Sequence, residues 1–143
     1  MMLNPLYTAE INGHRLRFFK NPDGTQDMPW HAFYDLLMIT NHSNREAKQM
    51  LAATRGGPFK AKVRTIATSE GPVVIGPHWM AQGMLGAMLE VGRISRDVET
   101  AYCKAGAHVI GLMVGHLPPS MRAEAAIRMA RASADAGEAM TIH

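Results

Sequence analysis

Residues 6 to 20, LYTAEINGHRLRFFK, alternate in character on either side of the pair Asn12-Gly13, and no other stretch restricts the fold as much. A two-residue turn of this kind needs positive φ at both central positions, which Asn-Gly tolerates, and its twist matches that of paired strands. The chain is therefore expected to open on an antiparallel hairpin. NPDGTQDMP follows, dense in turn residues, and ends at Pro29, whose missing N–H suits the first turn of a helix. The spacing of Trp30, Phe33, Leu36 and Leu37 predicts that helix over about 30 to 40, with one apolar face and Asp35 on the opposite side. Trp30 then reads as the clamp that holds the helix against the hairpin. Asp35 is expected to hydrogen-bond a nearby loop or a basic residue of the next helix.

NHSNREAKQMLAAT carries Ser43 and Glu46 in the Ser-x-x-Glu relation of a capping box, so a second helix is expected there, with Ala47, Met50 and Leu51 inward. The two helices are joined as in a helix-turn-helix hairpin. RGGPF breaks the second helix. AKVRTIAT and PVVIG then predict a second hairpin around Glu70-Gly71, with an edge position or bulge near Val63 and Ile66. Helices are expected over 77 to 91, 95 to 115 and 119 to 137, punctuated by Gly92, Leu117-Pro118-Pro119 and Gly137. The expected class is α+β: a small, mostly antiparallel sheet of two hairpins packed on short helices, with a helical C-terminal region.

A chain of 143 residues suits one compact unit, here an α+β part over 1 to 92 and a helical extension over 93 to 143 on the same core. The apolar run GAHVIGLMVG, at 106 to 115, is much shorter than the ~20 residues that span a bilayer. The N-terminus lacks the basic start and apolar centre of a secretory signal, so a cytoplasmic protein without a membrane span is expected. Cys103 is the single cysteine, which excludes an intrachain disulfide.

Formal net charge is only +3, but its distribution is uneven. From Arg45 to Arg64 there are six basic residues against the single acid Glu46, and the remainder of the chain is slightly acidic. Arg45, Lys48 and Arg55 are expected on the outward face of the second helix, and Lys60, Lys62 and Arg64 at alternate positions of a strand, pointing one way. That arrangement fits either a phosphate-binding face or a merely solvated one. Arg15, Arg17 and Lys20 form a second, smaller basic group.

Catalytic and metal chemistry finds no support in the spacing. His108 and His116 are eight apart and Cys103 and His108 five apart, and neither spacing stacks two ligands on one helical face. His31, His42 and His78 are expected at helix starts, where a ring nitrogen serves a turn. Cys103 reads as a small apolar residue, and Asp97 and Glu99 as acids favoured in a first helical turn. No glycine-rich stretch has a phosphate-cradling spacing. A non-enzymatic protein without cofactor or metal is expected.

The other distinctive feature is methionine with glycine. Met80, Met84 and Met88 recur at steps of four, and Val98, Tyr102, Ala105, Val109, Leu112 and His116 continue in roughly heptad order beside the pair Gly111 and Gly115. One reading is a single intramolecular core. The other is a self-association face of Met80, Met84, Met88, Tyr102, Val109, Gly111 and Gly115, giving a homodimer.

Hairpin, Pro29-Trp30, Asp35-Leu36, then Asn41, Asn44 and Ala47 in a basic second helix, followed by another hairpin: this order over about 11 to 90 resembles the Bro-N domain of bacteriophage antirepressors and baculovirus repeated-ORF proteins. The resemblance implies DNA binding in phage or mobile-element regulation. With the basic window, it leads to an expected duplex-DNA interface of Asn44, Arg45, Lys48, Gln49, Arg55, Lys60, Lys62 and Arg64, the amides reaching base edges and the cations phosphates. The alternative is an antirepressor-like module that docks on a host or repressor protein through the Met-rich face, without DNA.

Overall fold

The structure is a computed structural model and describes residues 2–141. Its elements run β1 Tyr7–Ile11, β2 His14–Phe19, β3 Trp30–Ala32, α1 Phe33–Ile39, α2 Asn44–Gly56, β4 Arg64–Thr68, β5 Gly71–Gly76, α3 His78–Glu90, α4 Arg96–Val114 and α5 Pro119–Thr141. The chain is α+β, with one five-stranded antiparallel sheet in the order β1-β2-β3-β5-β4. Among the described residues no helix is long and apolar enough to cross a membrane.

The first hairpin closes at Asn12 and Gly13, with φ of 54° and 78°. Both are positive, as the Asn-Gly pair requires. Asn12 also ties the turn to the helices, because its side-chain amide donates to Ile39 O at 2.9 Å and to Asn41 Oδ1 at 2.8 Å. The second hairpin pairs Arg64 with Ile75 through Thr68 with Gly71, and leaves β4 as an edge strand.

The two hairpins join into one sheet through β3, a strand where the apolar spacing had predicted helix. Residues 30 to 32 are strand, not helix: His31 and Trp30 pair with Phe18 and Phe19 on one side, and His31 and Ala32 with Gly76 and Ile75 on the other. A central strand is apolar on both faces, so its residues mimic the first turn of an apolar helix. Trp30 packs with Phe19, Ile66, Val73 and Ile75, between the hairpins, whereas Phe33 and Leu37 of α1 pack with Ala47 of α2. Trp30 is thus core, but it joins hairpin to hairpin and does not clamp α1.

Ser43 Oγ accepts from Glu46 N at 3.1 Å and Glu46 Oε1 from Ser43 N at 2.9 Å, so α2 starts on the expected capping box. The main core lies where β1, β2, α1, α3 and α4 meet: Leu16, Phe18, Leu36, Ile39, Leu85, Tyr102 and Val109 are all buried there. Met129 and Ala125 of α5 pack with Val114 and Met28 in a smaller cluster. Gly137 does not end α5, contrary to its reading as punctuation. A Cβ at this position would stand 3.1 Å from Trp79 Cβ, so glycine here permits close approach of helix to indole.

His42 serves a turn as expected, its Nδ1 lying 2.9 Å from Thr40 Oγ1 and 3.2 Å from Leu37 O. His78 Nδ1 lies 3.2 Å from the Tyr102 hydroxyl. His31 departs from the pattern, because it sits in β3, fully buried, and neither ring nitrogen has a hydrogen-bond partner among the described residues. Burial, with His78 adding a smaller repulsion, pushes its pKa down to about 3, so the ring is neutral.

Candidate functional site

Because β3 is only three residues long, β2 and β5 run on past it, and α1 begins in the space between them. Arg15 and Arg17 alternate along β2 and share a face. Asn44, Lys48, Leu51 and Arg55, spaced at i, i+4, i+7 and i+11, share one side of α2. These surfaces meet around a cleft of about 410 Å³ into which Arg15, Arg17, Lys48 and Arg55 converge. Leu51, Pro72, Val73 and Val74 supply its apolar lining, and Glu70 is its one acid. Tyr34 also lines it and donates its hydroxyl to Asn44 Oδ1, which fixes the N-terminal end of the cationic side of α2.

The four cations are held differently. Arg17 is 7% exposed and Asp35 4%. Asp35 Oδ2 accepts from Arg17 Nε at 2.8 Å and from Arg17 N at 3.0 Å, and Oδ1 accepts from Nη2 at 3.1 Å. The hydrogen bond to Asp35 raises the Arg17 pKa further, and the residue stays charged. Asp35 is therefore neither solvent-facing nor bound to the second helix, as the helical spacing had implied. It orients a β2 arginine at the cleft. Arg15 Nη1 donates to Glu70 Oε2 at 2.8 Å, and Arg17 Nη1 lies 3.8 Å from Glu70 Oε1. The bond from Arg15 holds the Glu70 carboxyl below its usual pKa. Lys48 and Arg55 have no carboxylate partner among the described residues.

The basic window from 45 to 64 is thus divided. Lys48 and Arg55 face the cleft, and Asn44 is bonded to Tyr34 of its lining, while Arg45 and Gln49 lie elsewhere on α2, exposed. Lys60 and Lys62 are not on a strand. β4 begins only at Arg64, and 58 to 62 form turns in which Lys60 N donates to Gly57 O and Lys62 N to Phe59 O. Pro58 and the two preceding glycines favour that turn over an extended ladder. Lys62 and Arg64 border a different depression, beside Asp23, Asp27 and Trp30, and Arg64 is bonded to Asp23 at 3.3 Å. The three alternate cations therefore do not present one face. Arg15 and Arg17, read only as a minor basic group, belong to the cleft. Their alternation on a confident strand was the signal for it, whereas Tyr34 and Glu70 gave none.

The expected self-association face is divided as well. Tyr102 and Val109 are 1% and 0% exposed inside the chain's own core, so they cannot meet a partner. Met80, Met84 and Met88 are half-buried and line a groove of about 510 Å³ between α2 and α3, with Met50, Phe59 and Trp79. Gly111 and Gly115 are exposed on and just after α4. The heptad order holds inward only as far as Val109, since Leu112 and His116 are exposed.

In comparison with known proteins, no family model, no curated protein and no solved structure matches the chain.

Proposed function

We propose that the chain is a non-enzymatic DNA-binding regulator of the phage or mobile-element kind, which grips duplex phosphates with the cleft between β2 and α2. The observation that carries this reading is the pair Lys48 and Arg55: two cations on one helical side, without acidic partners among the described residues, facing the guanidinium of Arg15 across a concave surface. Buried ion-pairing holds Arg17 in place before any ligand arrives, so less ordering is needed on binding. Asn44, at the end of the same α2 side, accepts from Tyr34 through its oxygen and has its amide NH₂ to offer to a base edge. The Bro-N resemblance supports the same reading.

A fluorescence-anisotropy titration of a labelled duplex across salt tests it. Binding at ~50 mM salt should weaken steeply as salt rises, and reversing both Lys48→Glu and Arg55→Glu should flatten the log–log slope by about two. Lys60→Glu with Lys62→Glu should change it far less, because those lysines stand on a separate turn. No binding at low salt, or binding indifferent to salt, would sink the reading.

A further inference from the structure

The cleft carries its own anion. Glu70 stands in the turn between β4 and β5, where its N–H donates to Thr68 Oγ1 at 3.1 Å, and its side chain, 50% exposed, reaches back to Arg15 Nη1 at 2.8 Å and toward Arg17 Nη1 at 3.8 Å. Arg17 meets Asp35 through Nε and Nη2 and Glu70 through Nη1. Removing Glu70 would therefore leave the buried pair intact and free Arg15 together with one edge of Arg17. On the other side of the cleft Lys48 and Arg55 have no acid to hold among the described residues. Carboxylate and phosphate offer the same paired oxygens to a guanidinium fork, and an exposed ion pair is easily exchanged for another.

We propose that Glu70 occupies the place of a ligand phosphate on Arg15, and that a phosphate group, whether of a polynucleotide backbone or of a free polyphosphate, binds by displacing it. The inference rests on the cleft being the phosphate site. Glu70 then lowers affinity twice: its carboxylate competes for Arg15, and while it remains near, it repels the incoming anion.

The deciding experiment is a calorimetric titration of the full chain with inorganic pyrophosphate at ~20 mM salt, where surface charges are weakly screened. Wild type, Glu70→Gln and Glu124→Gln are compared; Glu124 is an exposed acid of α5, so its variant makes the same change in net charge away from the cleft. Glu70→Gln should tighten binding by about threefold or more, and Glu124→Gln by less than about twofold. Equal or weaker binding by Glu70→Gln relative to Glu124→Gln, or no binding by any of the chains, overturns the inference. The same three chains titrated with duplex identify the source of the phosphate: a parallel gain supports displacement by the DNA backbone. A gain with pyrophosphate and no binding of duplex by any of the three chains leaves the displacement standing and refutes the DNA reading.

Discussion

Asp35→Asn is the most informative single change, because it removes one charge from a pair that both holds the fold and aims Arg17. Asp35 accepts three hydrogen bonds from Arg17, at 2.8, 3.0 and 3.1 Å, and both side chains are more than nine-tenths buried. Asparagine keeps one acceptor oxygen but presents an NH₂ group where a guanidinium donor points. At least one charge-assisted bond, contributing roughly 1.5–3 kcal/mol, is lost outright. Breaking a buried pair from one side costs about 3–5 kcal/mol, since the other charge is left without compensation. Glu70, 3.8 Å from Nη1, still offers Arg17 some relief, which places the loss near the lower end, at about 3 kcal/mol. For a chain of this length that corresponds to a fall of roughly 9 °C in Tm. Urea unfolding at pH 7 together with a thermal melt measures it. A loss under ~1 kcal/mol would show that Arg17 is solvated and that the pair does not hold it. The double variant Arg17→Met, Asp35→Leu should recover most of the stability, because apolar replacement of a whole buried pair is often neutral. If the double variant is as unstable as Asp35→Asn, the loss comes from packing and the electrostatic account fails.

Two further changes probe other parts of the fold. His31 has a folded pKa of about 3 against 6.5 when unfolded, so between those values the unfolded chain takes up a proton that the folded chain refuses. Stability present above pH 6.5 is therefore lost on acidification, by about 2 kcal/mol between pH 6.5 and 4.5, and urea midpoints should show that slope in wild type and a shallower one in His31→Leu. Identical slopes in the two chains would mean that the ring is protonated in the fold. Asn12→Ala gives up a positive-φ residue and two side-chain hydrogen bonds, one to Ile39 at the end of α1 and one to Asn41 just beyond it, and should cost about 2 kcal/mol in the same assay. A stability within ~0.5 kcal/mol of wild type would show that the turn forms without help from its asparagine.

The parts of the fold that were legible depend on local chemistry. Asn12-Gly13 and the Ser43–Glu46 box act within four residues, and the helices α3, α4 and α5 announce themselves through periodicity and through breaks at Gly92 and Pro118. The misread parts depend on partners distant in the chain. Trp30 to Ala32 are strand because Phe18, Phe19, Ile75 and Gly76 flank them, and nothing within the tripeptide separates that outcome from a first helical turn. Asp35 looked outward because the apolar positions of α1 point elsewhere. A basic residue eighteen positions earlier makes its burial affordable. Gly137 looked like a stop because glycine usually ends helices, and only Trp79, fifty-eight residues before it, shows why a helix continues through it.

The same distinction explains why the basic window, grouped along the chain as one face, is divided in the fold. Charge counted along the chain groups Lys48 with Lys60 and Lys62, since twelve to fourteen residues separate them, and leaves Arg15 apart. In space the grouping depends on β3. With residues 30 to 32 in a helix, the first hairpin would have no ladder to the second, and Arg15 would have no fixed position relative to Glu70, fifty-five residues away. The three-residue strand sets that distance and, by ending where it does, leaves the space between β2 and β5 that α1 and α2 border as a cleft. A helix-breaking turn at 58 to 62, after two glycines, then takes Lys60 and Lys62 off the helix, and Lys62 borders a different depression. The candidate site is therefore a property of sheet order, and its local signs were the helical spacing of Lys48 and Arg55 and the alternation of Arg15 and Arg17.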